Sequence, residues 1–259
     1  MGAWVPNNEV SHLSTFQKYV GVGTALGMNR LVHLQRFYEL VEECTSRLGG
    51  PRRLSECTGR LEWPRRGVYF FFEPGEARGE TGTGSRIVRV GTHALKAGSK
   101  TALWNRLSQH RGSKSSGGGN HRGSIFRLLV GAAWLQKHSV DCATWGVGSS
   151  APPDLREKER SLEQRVSELI GRMEIAWLAI DDEPGPNSLR GFIERNSIAL
   201  LSNLEGTSLD PPSSQWLGHS CPRPLVARSG LWNQNHVNEN YNPAFLDQFE
   251  SLAAKTNVQ

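Results

Sequence analysis

The spacing of hydrophobic positions changes several times along the chain, and each change predicts an element. From Asn29 the run NRLVHLQRFYELVEECTSRLGG places Leu31, Leu34, Phe37, Leu40 and Val41 on one stripe. That is the pattern of an amphipathic helix, stopped by Gly49-Gly50. Residues 1–28 show no clear period. After Pro64 the helical spacing disappears, and GVYFFFE, Gly67 to Glu73, is an unbroken apolar run. Such a run predicts a strand buried on both faces. A turn region over 74–85 separates it from RIVRVG, Arg86 to Gly91, and the two strands are expected to pair as a hairpin.

Helical spacing returns in TALWNRLSQHRG, where Leu103, Trp104 and Leu107 are placed to pack while Arg106 and His110 share a different edge. The stretch SKSSGGGNHRG, 113–123, is too polar to fold alone and is expected to be a mobile basic loop. Further helices are predicted over 124–137, 160–172 and 189–203, with a third strand at 175–180. Beyond Gly206, Trp216 and Trp232 are too apolar for a free tail and predict an ordered extension ending in a short helix from about Pro243. The expected architecture is α+β: a small central, mostly antiparallel sheet of about three strands flanked by helices. Its parts are a helical N-terminal extension (1–64), a core (65–205) and an irregular C-terminal extension packed on that core (206–259).

Composition adds a constraint on partners. With 259 residues, 37% of them hydrophobic, the chain can bury a real interior. Its formal charge of +5 hides an asymmetry: between Thr81 and Val140 there are ten Lys and Arg and no acidic residue, so this segment carries +10 and the remainder about −5. A polyanionic partner follows, and Arg89, Lys96, Lys100, Arg111, Lys114 and Arg122 are the residues expected to contact it. The aromatics within the segment, Trp104, Phe126 and Trp134, fall at helical packing positions, which favours DNA over stacked single-stranded RNA. The four cysteines have no metal-site spacing, and reduced thiols fit a cytoplasmic protein. No apolar span suited to a membrane and no secretory leader pattern is present in this sequence.

GVY at 67–69, RVG at 89–91, the Arg106-x3-His110 pair, Glu194 on a later helix and Asn203 together resemble the GIY-YIG nuclease superfamily, over roughly residues 65–205. The Arg-x3-His spacing resembles its restriction-enzyme branch. The resemblance implies a metal-dependent endonuclease that hydrolyses DNA phosphodiester bonds, with a restriction or defence role, and cutting both strands of a symmetric target favours a homodimer. It makes Tyr69 the group that prepares the attacking water, with His110 close by, and Arg106 the phosphate clamp. Glu194 would hold Mg²⁺ or Mn²⁺, and Asn203 would position Glu194 or a backbone group. The chain departs from the family where it carries Arg89 in place of a second tyrosine and His93 where a lysine often stands. Arg89 cannot act as a base, whereas His93 could accept a proton near neutrality. The alternative implied by this departure is a catalytically impaired nuclease fold that binds nucleic acid or serves as a scaffold.

Overall fold

A computed structural model describes residues 13–113 and 115–255. In chain order its elements are α1 (Leu13–Arg47), β1 (Arg52–Arg53), β2 (Gly67–Ala77), β3 (Ser85–Gly91), α2 (Leu103–Arg111), α3 (Ile125–His138), α4 (Pro153–Gly171), β4 (Glu174–Ala179), α5 (Leu189–Leu201), α6 (Pro224–Ser229) and α7 (Phe245–Ala253). The fold is α+β with one four-stranded sheet in the order β1-β4-β2-β3, and every ladder is antiparallel. The strand beyond the expected three is β1, whose two residues pair with Ile175 and Glu174 and are too few to leave a periodic trace. Helix α1 begins before the apolar stripe does, because no proline interrupts 13–47 and backbone hydrogen bonding needs no stripe. Helix α4 begins earlier than expected as well, with Pro153 at its first position, where the missing N–H costs nothing.

The aromatic run of β2 reads as unbroken because both faces are covered. Val68 and Phe70 enter one core with Phe37, Ile193, Phe245 and Phe249, while Tyr69 and Phe71 enter a second with Leu107, Phe126, Val166 and Trp232. Each fully buried phenylalanine contributes roughly 2 kcal/mol by removal of apolar surface from water. Helix α5 therefore packs on one face of the sheet and α2 and α3 on the other. A functional group on α5 must come round the end of a strand to meet one on α2.

The outer edge of β3 is closed by the C-terminal segment. Trp232 donates its N–H to the Val88 carbonyl (2.7 Å), and the Asn233 side chain satisfies both backbone groups of Val90 (3.2 and 2.8 Å). Pairing in this way removes an edge that would otherwise template aggregation. Glu73 on β2 anchors the same segment by accepting from the indole N–H groups of Trp216 (3.0 Å) and Trp232 (2.9 Å). The stretch expected to be a mobile loop is pinned in its second half: His121 stacks on Trp145 at 3.8 Å, and Arg122 grips Glu159 with two hydrogen bonds of 2.6 and 2.9 Å. The anchoring carboxylates sit on α4, so the loop's own composition could not reveal them. Among the described residues no helix is long and apolar enough to cross a membrane.

Candidate active site

Tyr69 on β2 and Gly91 on β3 are cross-strand partners. A Cβ at position 91 would lie 2.4 Å from the Tyr69 hydroxyl oxygen, so the phenol crosses the strand only because residue 91 has no side chain. Gly67 serves the other neighbour, since a Cβ there would fall 2.5 Å from the Leu178 carbonyl of β4. The phenol ends at His110: its hydroxyl lies 2.9 Å from Nε2, and His110 Nδ1 lies 2.8 Å from the Ser124 hydroxyl. Leu103 and Leu107 bury one side of α2, which turns His110 inward and leaves Arg106, one turn earlier, half-buried at the rim.

Ser124 also caps α3, accepting the Arg127 N–H at 3.3 Å, while the Arg127 guanidinium donates to the His110 carbonyl (2.9 Å) and to Glu163 (3.0 and 2.5 Å). His110 is 0% exposed, and burial, followed by the charges of Arg106, Arg89 and Arg127, holds its pKa well below 6.5. The imidazole is therefore neutral at physiological pH, able to accept a hydrogen bond without carrying charge.

Glu194 on α5 reaches round the end of β3, where the Thr92 N–H donates to Oε1 at 3.0 Å. Burial raises the Glu194 carboxyl, and Arg89, the Thr92 N–H, His236 and Arg106 each offset part of that rise. Its other oxygen makes no hydrogen bond among the described residues, and Glu194 lines a cleft of about 520 Å³ with Leu95, Asn187, Phe192, Arg195 and His236 among others. Arg106 uses Nη1 for the Gly123 carbonyl (3.0 Å) and Gln109 (3.1 Å), and its remaining nitrogens have no partner among the described residues. Its charge acts on Glu194, His110, Arg89 and His93 alike, so these residues share one electrostatic neighbourhood. Among the described residues no three His, Cys, Asp or Glu side chains converge to form a closed metal site. A single fixed carboxylate open to a cleft fits a hard cation such as Mg²⁺, which keeps waters and takes phosphate oxygens, and does not fit tetrahedral zinc.

Other expected residues are placed differently. His93 is buried, and burial followed by the Arg190 charge lowers it to about 4, so it is no proton acceptor tuned near neutrality. Neither of its ring nitrogens makes a hydrogen bond of ordinary geometry; the Arg65 backbone offsets only part of the effect of burial. Of the two partners expected for Asn203, a backbone group is the one it meets: it sits at the far end of α5 and donates to the Asp210 carbonyl (2.8 Å), with no hydrogen bond to Glu194 among the described residues.

Arg89 and Arg122 do not offer free charges to a polyanion, whereas Arg111 keeps a charge that no carboxylate neutralises among the described residues. Arg89 is buried over the Phe126 ring (4.8 Å) and donates to the Trp232 carbonyl. Arg111 lies over Trp104 (5.0 Å) and donates to the Cys57 carbonyl (2.6 Å), and Arg122 is neutralised by Glu159. Lys96 and Lys100 are exposed, and Lys114 lies outside the described residues. The sequence reading missed Ser124, whose place before an apolar run is an N-cap signal, and His236, which carries no local signal at all.

A family model described as GIY-YIG domain matches residues 28–259. No curated protein and no solved structure matches the chain.

Proposed function

Because that match spans most of the chain, the protein belongs to the GIY-YIG domain family, a family of nucleases, and we propose from this premise that it is a metal-dependent endonuclease hydrolysing DNA phosphodiester bonds. The observation that supports this reading is the hydrogen bond between the Tyr69 hydroxyl and a neutral, buried His110, with the charge of Arg106 acting on both His110 and Glu194. In the tautomer with its proton on Nδ1, His110 accepts the phenol proton at Nε2. With Arg89 close enough to donate to the phenol oxygen, its remaining lone pair would accept a hydrogen bond from the attacking water and align it with the phosphorus. A base as weak as this His110 does not store the proton; it fixes the direction of the hydroxyl. Arg106, with two donor groups unengaged, binds the scissile phosphate and stabilises the charge that grows on it. A Mg²⁺ or Mn²⁺ held by Glu194 would supply Lewis-acid neutralisation of that charge. Arg89 has no proton to exchange near pH 7; it places a fixed positive charge under Tyr69 and Glu194.

We take 65–205 as the catalytic core, with the segments on either side as its supports, and a restriction or defence role carried out by a homodimer as the biological setting. The test is nicking of supercoiled plasmid with Mg²⁺ or Mn²⁺, comparing the unaltered protein with Glu194→Gln. Cutting abolished by the substitution supports the assignment, and equal cutting by both proteins removes it. Binding without cutting by either protein favours the scaffold reading that Arg89, in place of a tyrosine, keeps open.

A further inference from the structure

The loop from β3 to α2 is held at its start by several hydrogen bonds. Thr92 is fixed twice, by its N–H to Glu194 and by its hydroxyl to the Gly67 carbonyl (2.8 Å). The next two carbonyls, of His93 and Ala94, both accept from the buried Arg190 (2.6 and 3.4 Å), which is itself paired with Asp182. Ala94 has φ of 55°, a turn that L-residues rarely make, and it directs the chain outward. What this platform presents is Leu95, an exposed large hydrophobic at 37%, followed by exposed Lys96 and Lys100. A Cβ built on Gly191 would lie 3.5 Å from a Leu95 methyl, so the side chain stands over α5 one turn before Glu194.

Leu95 is also one wall of the cleft that Glu194 borders. The charge of the other walls decides what that cleft can hold. Arg195 and His236 both lean on Glu239 (3.2 and 2.7 Å), so the basic side chains that line the cleft already have a carboxylate partner. The cleft offers apolar surface from Leu95 and Phe192 and a hydrogen-bonding edge from Asn187. Its volume of about 520 Å³ suits a small planar ligand. Apolar faces with polar edges are the chemistry of a nucleobase.

Resting on the nuclease reading above, we propose that Leu95 is a wedge that unstacks the base step beside the scissile phosphate, and that the cleft receives the displaced base of the strand being cut. Lys96 and Lys100 would hold the flanking phosphates while the wedge enters. Unstacking a step costs least where the bases are already mismatched, so the device favours DNA that is distorted or unpaired at the cut.

The test uses a set of duplexes carrying 2-aminopurine at successive positions, bound in Ca²⁺ so that binding is read apart from turnover. Fluorescence should rise at one position with the unaltered protein and stay near the free-duplex level with Leu95→Ala at equal bound fraction. Leu95→Ala should cut paired DNA ~10-fold more slowly and recover to within about twofold on DNA mismatched at that step, a rescue that a merely misfolded variant would not show. No rise at any position, or an equal defect on paired and mismatched DNA, overturns the wedge. If the unaltered protein binds but cuts nothing, the nuclease reading fails and the fluorescence still decides this one.

Discussion

Gly91→Ala isolates the contact on which the site is built. The backbone at Gly91 does not have positive φ, so alanine is conformationally acceptable there and the objection to it is steric alone. The new Cβ would stand 2.4 Å from the Tyr69 hydroxyl oxygen, 2.5 Å from Cζ and 2.7 Å from Cε2, distances that real atoms do not sustain. The ring must move, and its hydroxyl then leaves the 2.9 Å contact with His110. Overpacking of this kind costs about 1–3 kcal/mol and the lost buried hydrogen bond about 1 more, so urea denaturation should show a loss of roughly 2–4 kcal/mol. In a Tyr69→Ala background the obstacle is gone, and Gly91→Ala should be neutral or slightly stabilising, because alanine loses less backbone entropy than glycine. A double-mutant cycle should therefore return a coupling of about 2 kcal/mol or more. Equal costs of Gly91→Ala in the two backgrounds would refute the steric account.

Glu163→Gln should cost ~3–5 kcal/mol in urea unfolding, because it leaves Arg127 charged and buried beneath His110; a loss below about 1 kcal/mol would show that the pair is not needed. Arg106→Ala should lower kcat ~10²–10³-fold while DNA affinity changes little, and a matching collapse of affinity would make Arg106 a binding residue only. Stability should fall on acidification from pH 6.5 toward 4: the unfolded His93 takes up a proton near 6.5, the folded one only at about 4, and His110 shifts in the same direction. His93→Gln should flatten that part of the urea midpoint profile, and an unchanged slope would mean His93 does not titrate with folding.

What the sequence disclosed follows from the range over which each signal acts. The strand at 67–73 was legible because neighbouring residues face opposite cores, so a short-range pattern carried the information. Arg106 and His110 were legible as a pair for the same reason, since four residues on a helix fix their relation. Ser124 acts on His110 across a loop, and His236 approaches Glu194 only because Trp232 and Asn233 lock the C-terminal segment to β3. No spacing rule links those positions. The burial of Arg89 depended likewise on a carbonyl at 232.

The acid-free segment shows how charge read along the chain differs from charge read in space. Three of its ten cations are neutralised by carboxylates outside it: Arg86 by Glu76 (2.6 Å), Arg122 by Glu159 (2.6 Å) and Arg127 by Glu163 (2.5 Å). Lys96, Lys100 and Lys137 remain exposed and Arg106 half-buried at the rim. A cation that neutralises a phosphate releases counterions, and each such contact steepens the log–log dependence of DNA affinity on salt by about 0.9. Lys96→Gln should therefore flatten that slope by about 0.9. Arg122→Gln combined with Glu159→Gln, a change that removes a buried pair without orphaning either partner, should leave it unchanged. Equal effects of the two variants would mean that Arg122 leaves Glu159 to meet DNA, and that the buried pair belongs to the free protein alone.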